Sequence, residues 1–355
     1  MLKMTENPGY PSIAPVPQGV HRPLWSVMIP NYNCAKYLEQ TLKSVLEQAP
    51  DPDKMQIEVV DDCSTQDDPE AVVTELGRGR VSFYRQPHNV GSIRNFNTCI
   101  ERSVGQIVHI LHSDDLVLPG FYNVLQQVFA QEQTIGAAFC RHIFIDEQER
   151  QLSVSPLESP TAAVLAHWVE RIAVSSVIQT PAVVVRRSVY EALGGFHPAL
   201  FHAADWEMCK RIAAHYPVWF EPQILASYRQ HSKSHTSSLI RSGANVANSR
   251  LAIEMSQSYL PKPMADELTT KAREHHALYA FDLACWHLGN LDVVATIAQL
   301  REGFKCSHSF RVIRQMIGIL LKAGTRRSLR ILSRALDLMT NMIEKQHQTV
   351  KKSDI

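Results

Sequence analysis

The sequence predicts an α/β protein with a mostly parallel sheet flanked by helices, followed by an all-helical C-terminal appendage. Between residues 24 and 118, short β-type runs alternate with amphipathic helical segments, and this alternation is typical of parallel βαβ units. Beyond about Ile240 the pattern is purely helical, as in the segment Met264 to Leu288, which ends at a Gly-Asn pair. The chain has 355 residues, 45% of them hydrophobic, which is enough to bury a full core.

Each element of the first half follows from a local pattern of apolar residues. The predicted strands are Trp25 to Pro30, Ile57 to Asp61, Val81 to Arg85 and Ile107 to Leu111, and the predicted helices are Ala35 to Gln48, a segment from about Pro69, and Val90 to Val104. After Pro119 the pattern is looser, with strands near Ile135 to Ile145 and at Pro181 to Arg186. We therefore expect two halves, residues 24–118 and 119–240, ahead of a helical region at 241–355.

The composition argues against several classes of protein. The 36 basic and 35 acidic residues nearly balance, which argues against a nucleic-acid-coating surface. The seven cysteines are scattered without a C-x-x-C pair, so neither a disulfide framework nor a structural zinc site is indicated, and a cytoplasmic location is expected. Residues 1–23 contain five prolines and no apolar periodicity, which predicts a flexible leader. We find no pattern of a signal peptide or a membrane span.

Polar residues follow the ends of the four predicted parallel strands. The first strand ends in P-N-Y-N, the second in D-D-C-S, the third precedes N-V-G, and the fourth ends in H-S-D-D. In an open α/β sheet the ligand lies beyond the carboxyl ends of the strands, so these motifs should converge on one crevice. The acidic pairs Asp61-Asp62 and Asp114-Asp115 would repel each other there unless a cation lay between them. Mg²⁺ or Mn²⁺ bound with a substrate diphosphate is the simplest arrangement, which indicates nucleoside diphosphate chemistry.

These motifs, in this order, resemble those of the family 2 glycosyltransferases of the GT-A fold. The matching runs are Pro30 to Asn33, Val60 to Ser64, Asn89 to Asn95, and the S-D-D of residues 113–115 followed by Pro119. Further runs resemble the acceptor half of the family: Pro181 to Arg187, Gly194 to Phe196, Asp205 to Glu207, and Tyr228 to His231. The resemblance covers about Leu24 to Ser238. It implies a Rossmann-like GT-A catalytic domain at 24–240, with a nucleotide-binding half at 24–118 and an acceptor half at 119–240.

The resemblance also implies roles for individual residues. Asp205 would be the catalytic base, taking the proton of an acceptor hydroxyl as it attacks the anomeric carbon, so that the transfer inverts the configuration. Trp206 and Glu207 would lie on the acceptor side, and Asp115 would ligate the metal together with His231. The donor nucleotide, with UDP the first choice, would be bound by Pro30, Tyr32, Asp61, Asp62, Gly91, Arg94 and Asp114.

The sequence departs from the family pattern at two positions. His112 stands where many relatives have an acidic residue, and Ala204 stands where an acidic residue often precedes the base. A degenerate glycan-binding or scaffold protein without catalysis is therefore an alternative, although Asp62, Asp115 and Asp205 are retained. A nucleotidyltransferase would favour a Gly-rich phosphate loop after the first strand, where this chain has Asn-Tyr-Asn.

Each motif taken alone also has a structural explanation. Asp61-Asp62 and Asp114-Asp115 could be turn or helix-capping pairs, and Asp205 could be a helix N-cap. His231 could be a surface histidine, and Arg94 a solvated helix residue. The four strand-end motifs in family order favour the functional interpretation.

The C-terminal region contains a local basic segment. From Gly303 to Leu336 no acidic residue occurs, whereas eight are basic: Lys305, Arg311, Arg314, Lys322, Arg326, Arg327, Arg330 and Arg334. Basic helices at 305–346 could lie on an anionic membrane surface, or they could pack on the catalytic domain or a partner. A glycan or lipid-linked acceptor at the inner face of the cell membrane would give such helices a purpose.

Overall fold

The first part of the chain alternates strands and helices. In the computed structural model, which describes residues 9–231 and 235–322, the strands are β1 (Trp25–Asn31), β2 (Met55–Asp61), β3 (Ser82–Arg85), β4 (Ile107–Ile110), β5 (Leu116–Val117), β6 (Ala137–Ile145), β7 (Gln151–Val154), β8 (Ala163–Val164), β9 (Val183–Arg186) and β10 (Val218–Arg229). The helices are α1 (Ala35–Leu46), α2 (Pro69–Gly77), α3 (Ser92–Arg102), α4 (Phe121–Gln131), α5 (Trp168–Val174), α6 (Arg187–Leu193) and α7 (Ala204–His215).

The strands of this region join one sheet in the order β3-β2-β1-β4-β9-β6-β10-β5, with β7 beside β6 and β8 beside β10. Strands β1 to β4 pair in parallel, as do β6 and β10. Strand β9 runs antiparallel between β4 and β6. The sheet is therefore mostly parallel in its long strands, and the predicted fold class is confirmed.

Strand β1 lies at the centre of the core. All seven of its residues are buried, because a parallel strand inside a sheet is covered on both faces by helices. Trp25, Val27 and Ile29 pack in one cluster with Leu38 and Leu42 of α1. The continuous apolar run that predicted this strand is thus the consequence of its central place.

The segment before β1 is not a flexible leader in its described part. Ile13 is 3% exposed, and the carbonyl oxygen of Pro11 accepts a hydrogen bond from the Gly195 amide at 2.8 Å. Proline restricts the backbone but keeps its carbonyl as an acceptor, so a proline-rich segment can dock in one extended conformation. The prediction of a flexible leader is corrected for residues 9–23, whereas residues 1–8 lie outside the described residues.

The second unit is helical, as the sequence predicts. Among the described residues, 235–257 and 262–322 form it, whereas Ser258–Pro261 belongs with the first unit. Its helices are α8 (His235–Ser242), α9 (Ala244–Ser256), α10 (Lys262–Gly289), α11 (Val293–Cys306) and α12 (Phe310–Lys322). None of the helices in the described parts of the chain has both the length and the apolar character needed to cross a bilayer.

Helices α10 and α11 form a close hairpin. An added Cβ on Gly303 of α11 would lie 2.9 Å from the Ala280 side chain and 2.8 Å from the Phe281 ring. Small residues at this contact let the two helices approach each other. Ala280 and Phe281 belong to the hydrophobic cluster of the helical unit, which also includes Phe304 of α11 and Val312 of α12.

Gly105 provides a test of the packing between β1 and β4. An added Cβ would lie 2.6 Å from the backbone nitrogen of Ser26. We predict that Gly105→Ala lowers the free energy of unfolding by about 1–3 kcal/mol, because the strands must separate to admit the methyl group. Urea denaturation followed by circular dichroism measures the change. Gly289→Ala is the control, since an added Cβ there meets no described atom within 4 Å, and an equal effect of the two changes would contradict this packing.

Candidate active site at the strand ends

Asp61, the last residue of β2, joins the ends of three neighbouring strands. Asn31 of β1 is its register partner and donates from Nδ2 to Asp61 Oδ1 at 2.9 Å. The Ser64 hydroxyl donates to the same oxygen at 2.5 Å, and Arg85 Nε of β3 donates to Oδ2 at 3.0 Å. Asp61 is fully buried. Both of its oxygens are thus engaged within the protein, and its direct effect is to position the strand ends.

Asp62 holds the loop that precedes α3. Its Oδ1 accepts from the Val90 amide at 2.7 Å, and its Oδ2 accepts from the Gly91 amide at 3.0 Å. Gly91 has a φ of +86°, a conformation that glycine adopts without steric cost. Burial raises the pKa of Asp62 even though the two amide hydrogen bonds oppose this effect. The D-D-C-S and N-V-G motifs therefore form one assembly.

Tyr32 and Arg94 offer side chains at the surface of this assembly. Tyr32 follows β1 and is 49% exposed, and Arg94 is exposed in the first turn of α3. An exposed aromatic ring can stack on a nucleobase, and a guanidinium can bind phosphate. Pro30 is buried within β1, so it can shape the crevice but presents little surface to a ligand.

The H-S-D-D motif after β4 forms a cluster suited to a metal ion. His112, Asp114 and Asp115 each offer one ligand atom, and these atoms lie within 4.8 Å of one another. Oδ2 of Asp115 and Nε2 of His112 are buried and have no hydrogen-bond partner among the described residues. Such atoms are costly to bury unless another group binds them. Carboxylate oxygens and an imidazole nitrogen fit a divalent cation such as Mn²⁺.

The two carboxyl groups of this cluster differ in their surroundings. Burial, followed by the charge of Asp114, raises the pKa of Asp115 well above its usual range. Burial also opposes ionisation of Asp114, but the hydrogen bond from His231 and the charge of His112 lower its pKa on balance. A cation between the two groups would favour the ionised form of both.

Arg229, at the end of β10, encloses the S-D-D loop. Its backbone amide donates to Asp115 Oδ1 at 2.9 Å, and its Nε donates to the carbonyl oxygen of Asp114 at 2.9 Å. The guanidinium is buried, lies 4.8 Å from the centroid of the Tyr37 ring, and donates to Gln40 Oε1 at 2.7 Å. One arginine therefore fixes both the backbone and one carboxylate oxygen of the loop.

The sequence analysis gave no role to Arg229. Two features of the sequence could have indicated a role for Arg229. It lies at the end of a strand, and it belongs to the Tyr228 to His231 run, which contains the candidate ligand His231. His231 lies near the predicted metal position but contacts the cluster through a carboxylate, since its Nε2 is 3.0 Å from Asp114 Oδ2. The structure thus brings His231 to the site, as a partner of Asp114.

Asp205 lies in the first turn of α7, where the helix dipole favours a negative charge. Burial raises its pKa, whereas the Trp206 amide and the charges of His202 and His112 act in the opposite direction. A carboxylate with a raised pKa is better matched to accepting a proton near neutral pH. Because Asp205 and His112 affect each other's ionisation, the predicted base and the cluster share one electrostatic environment.

Three helix N-caps exclude the capping explanations for the acidic motifs. The N-cap of α7 is Ala203, not Asp205. The N-cap of α4 is Gly120, which lies beyond the Asp114-Asp115 pair. The N-cap of α2 is Asp68, whose side chain accepts from Ala71.

Trp206 and Glu207 face the core, which corrects their predicted place on the acceptor side. The Trp206 indole nitrogen donates to the carbonyl oxygen of Ile172 at 2.7 Å, and Lys210 lies 3.8 Å from the ring centroid. Glu207 is 0% exposed and ion-paired with Arg211 at 3.0 Å. The D-W-E motif shows which residues follow Asp205, but the packing of α7 decides which of them point inward.

Part of the chain is similar in sequence to known glycosyltransferases. Residues 26–193 match the sequence model described as Glycosyl transferase family 2. A Mycobacterium tuberculosis protein is 28% identical over 236 residues, which are 63% of this chain and 73% of that protein. The putative teichuronic acid biosynthesis glycosyltransferase TuaG of Bacillus subtilis is 36% identical over 96 residues, which are 26% of this chain and 37% of TuaG. The chain spans less than half the length of several glycosyltransferase-named relatives, for example 48% of one from Mycoplasma genitalium.

Two solved structures share the fold. TarS of S. aureus, residues 1–349, in complex with UDP-GlcNAc, has a TM-score of 0.63 at 18% identity, covering 82% of this chain and 83% of that one. The mannosyltransferase PcManGT of Pyrobaculum calidifontis, in complex with GDP-Man and Mn²⁺, has a TM-score of 0.55 at 19% identity, covering 94% and 89% of the two chains. At these identities the likeness is one of fold.

Asp115 provides a test of the cluster. We predict that Asp115→Asn weakens Mn²⁺ binding by at least about tenfold, because an anionic ligand with a buried oxygen becomes a neutral amide. Isothermal titration of Mn²⁺ into the protein measures the affinity. Asp68→Asn, which keeps the capping oxygen of α2 away from the cluster, is the matched control. Equal Mn²⁺ affinity in Asp115→Asn and the wild type would exclude Asp115 as a ligand.

Proposed function

We propose, from the match of residues 26–193 to glycosyltransferase family 2, that the chain transfers a sugar from a UDP-sugar to a hydroxyl group of a glycan or lipid-linked acceptor, with inversion at the anomeric carbon. The observation that carries the proposal is the cluster of His112, Asp114 and Asp115 at the strand ends, in electrostatic contact with Asp205. A glycosyl transfer from a nucleoside diphosphate needs both features: a site that neutralises the leaving diphosphate and a base for the acceptor.

The cluster would hold the divalent cation, Mg²⁺ or Mn²⁺, with Asp115 as its principal ligand. When bound, the cation stabilises the charge that develops on the diphosphate as it leaves. The chain's own residues prepare the site, because Arg229 orients Asp115 through its backbone amide and His231 orients Asp114. The presence of Mn²⁺ in the PcManGT structure supports this assignment.

The nucleotide would lie against the ends of β1 and β2. Tyr32 and Arg94 are the exposed candidates for contact with the base and the diphosphate, and Asp114 is a half-buried member of the cluster. Asp61, Asp62 and Gly91 would act by shaping the loop that receives the nucleotide. The UDP-GlcNAc bound to TarS supports a uridine donor, with the guanosine donor of PcManGT as the competing choice.

Asp205 would accept the proton of the attacking hydroxyl. A single displacement with a base on the acceptor side inverts the anomeric configuration. Burial raises the pKa of Asp205, which makes it a stronger proton acceptor near neutral pH. The name of TuaG, a putative teichuronic acid biosynthesis glycosyltransferase, supports a polysaccharide acceptor.

Nucleotide binding tests the donor assignment. We predict that UDP binds in the presence of Mn²⁺, that GDP and dTDP bind more weakly by at least about tenfold, and that Asp115→Ala loses the metal-dependent part of binding. Isothermal titration with and without Mn²⁺ measures each case. Tighter binding of GDP would replace the uridine assignment, and binding of none of the three nucleotides would favour a scaffold protein without catalysis.

Substitution of Asp205 separates chemistry from binding. We predict that Asp205→Asn lowers the turnover number by about 10²–10⁴-fold, because the neutral amide cannot accept a proton. The affinity for UDP and Mn²⁺ should stay within about twofold of that of the wild type, since Asp205 is not one of the cluster ligands. Release of UDP from a panel of UDP-sugars, with and without acceptor glycans, measures turnover. Full turnover of Asp205→Asn would exclude it as the base.

We also propose that the basic C-terminal region contacts an anionic membrane surface. Helix α12 packs Val312 and Met316 into the helical cluster, yet its opposite side exposes Phe310 and Ile317, at 83% and 47%. Exposed arginines, among them Arg314, flank this apolar strip. Apolar residues beside basic ones are typical of helices that lie on anionic lipid. Residues 323–346 of the predicted basic helices lie outside the described residues.

Vesicle sedimentation tests this surface. We predict that the full chain binds vesicles containing phosphatidylglycerol, that salt weakens the binding, and that Phe310→Ser combined with Ile317→Ser reduces it by at least about fivefold. Leu152→Ser removes an exposed apolar side chain from β7 and is the matched control. Equal binding of the double variant would exclude the strip, and a shift in its elution volume on size exclusion would indicate contact between copies of the chain instead.

A further inference from the structure

A buried cluster of Tyr10, Glu207 and Arg211, called the hub below, connects the N-terminal segment to α7. The side chains of Glu207 and Arg211 are 0% exposed and pair in two places, Nε to Oε1 at 3.0 Å and Nη2 to Oε2 at 3.2 Å. The Tyr10 hydroxyl donates to Glu207 Oε1 at 2.8 Å, and the Arg211 guanidinium lies 3.9 Å from the centroid of the Tyr10 ring. A buried ion pair keeps its geometry only when further hydrogen bonds satisfy it. Tyr10 therefore completes the hub.

Arg211 extends the hub to the turn after α6. It donates to the carbonyl oxygen of Leu193 and, at 2.8 Å, to that of Gly195. The Gly195 amide donates in turn to Pro11. An added Cβ on Gly194 would lie 2.9 Å from the carbonyl oxygen of Pro11, so the N-terminal segment lies directly on this glycine turn.

An aromatic stack continues from the turn toward the metal cluster. Asn97 binds both backbone groups of Phe196, accepting from its amide at 2.7 Å and donating to its carbonyl at 2.9 Å. The Phe196 ring contacts Phe96 at 5.8 Å between centroids, and Phe96 stacks on the His112 imidazole at 5.0 Å. The hub is thus connected to both parts of the site. Glu207 follows Asp205 by two residues in α7, and the turn next to Arg211 leads through Phe196 and Phe96 to His112.

We propose that Tyr10 is a positioning residue for the transfer reaction, holding the first turn of α7 and its base in place through Glu207 and Arg211. The inference rests on the proposed role of Asp205. Tyr10 acts on Asp205 through Glu207 of α7, from which it is separated by 197 residues of sequence. Burial and the Glu207 charge raise the pKa of the Tyr10 hydroxyl above its usual value, so the hydroxyl stays protonated and remains a donor at neutral pH.

Tyr10→Phe is the direct test, because it removes one hydroxyl and keeps the ring beside Arg211. In the full-length protein we expect amides 193–208 to exchange hydrogen for deuterium faster than in the wild type, by about three- to tenfold, as expected for one lost hydrogen bond. We expect the turnover number to fall by about the same factor. The KM for the donor and the affinity for UDP with Mn²⁺ should stay within about twofold. Tyr216→Phe, at the other end of α7 and outside the hub, is the matched control.

Three results would overturn the inference while the wild type remains active. One is unchanged amide exchange in Tyr10→Phe, and another is faster exchange with an unchanged turnover number. A parallel loss of turnover, donor affinity and melting temperature would assign Tyr10 to overall stability and would also overturn it. A wild type without turnover of any nucleotide sugar is a separate outcome, which removes the proposed function and the inference together.

Discussion

The repulsion between four carboxylates at neighbouring strand ends is the constraint on which the site depends. The parallel sheet brings Asp61, Asp62, Asp114 and Asp115 to one edge. The surrounding residues interact with each of the four side chains in a different way. Asp61 is neutralised by Arg85, and Asp62 is held by two backbone amides. Asp114 is paired with His231, whereas Oδ2 of Asp115 is buried without a hydrogen-bond partner among the described residues and lies 3.8 Å from Nδ1 of His112. A divalent cation bound to this oxygen would supply the missing interaction and reduce the repulsion between the carboxylates.

The remaining structure supports this arrangement from two sides. On one side Arg229 fixes the loop of Asp114 and Asp115 through its backbone amide and its guanidinium. On the other side the Phe96 ring supports His112. The proposed donor-binding residues, the cluster and the proposed base thus lie on separate elements, so their geometry depends on the packing of β1, β4, α3 and α7 rather than on any one loop.

The sequence predicted the parts of this protein that follow local rules. The alternation of strands and helices was confirmed, and the rule that the ends of parallel strands converge predicted that the strand-end motifs lie together. The short strands β5 and β8 escaped prediction because two residues are too few to show a period. No pattern in the sequence could link Tyr10 to Glu207, so residues 1–23 were taken for a flexible leader. Likewise, the order D-W-E does not determine that Trp206 and Glu207 point into the core.

The most direct test of the central claim is electron paramagnetic resonance of Mn²⁺ with UDP bound to the full-length protein. If the metal joins the cluster to the diphosphate, the spectrum will show hyperfine coupling between Mn²⁺ and ³¹P in the wild type, and Asp115→Asn will lose it. Coupling that persists in Asp115→Asn, or protein-bound Mn²⁺ without ³¹P coupling, would contradict the account, because either result would place the metal elsewhere than between the strand-end carboxylates and the leaving group.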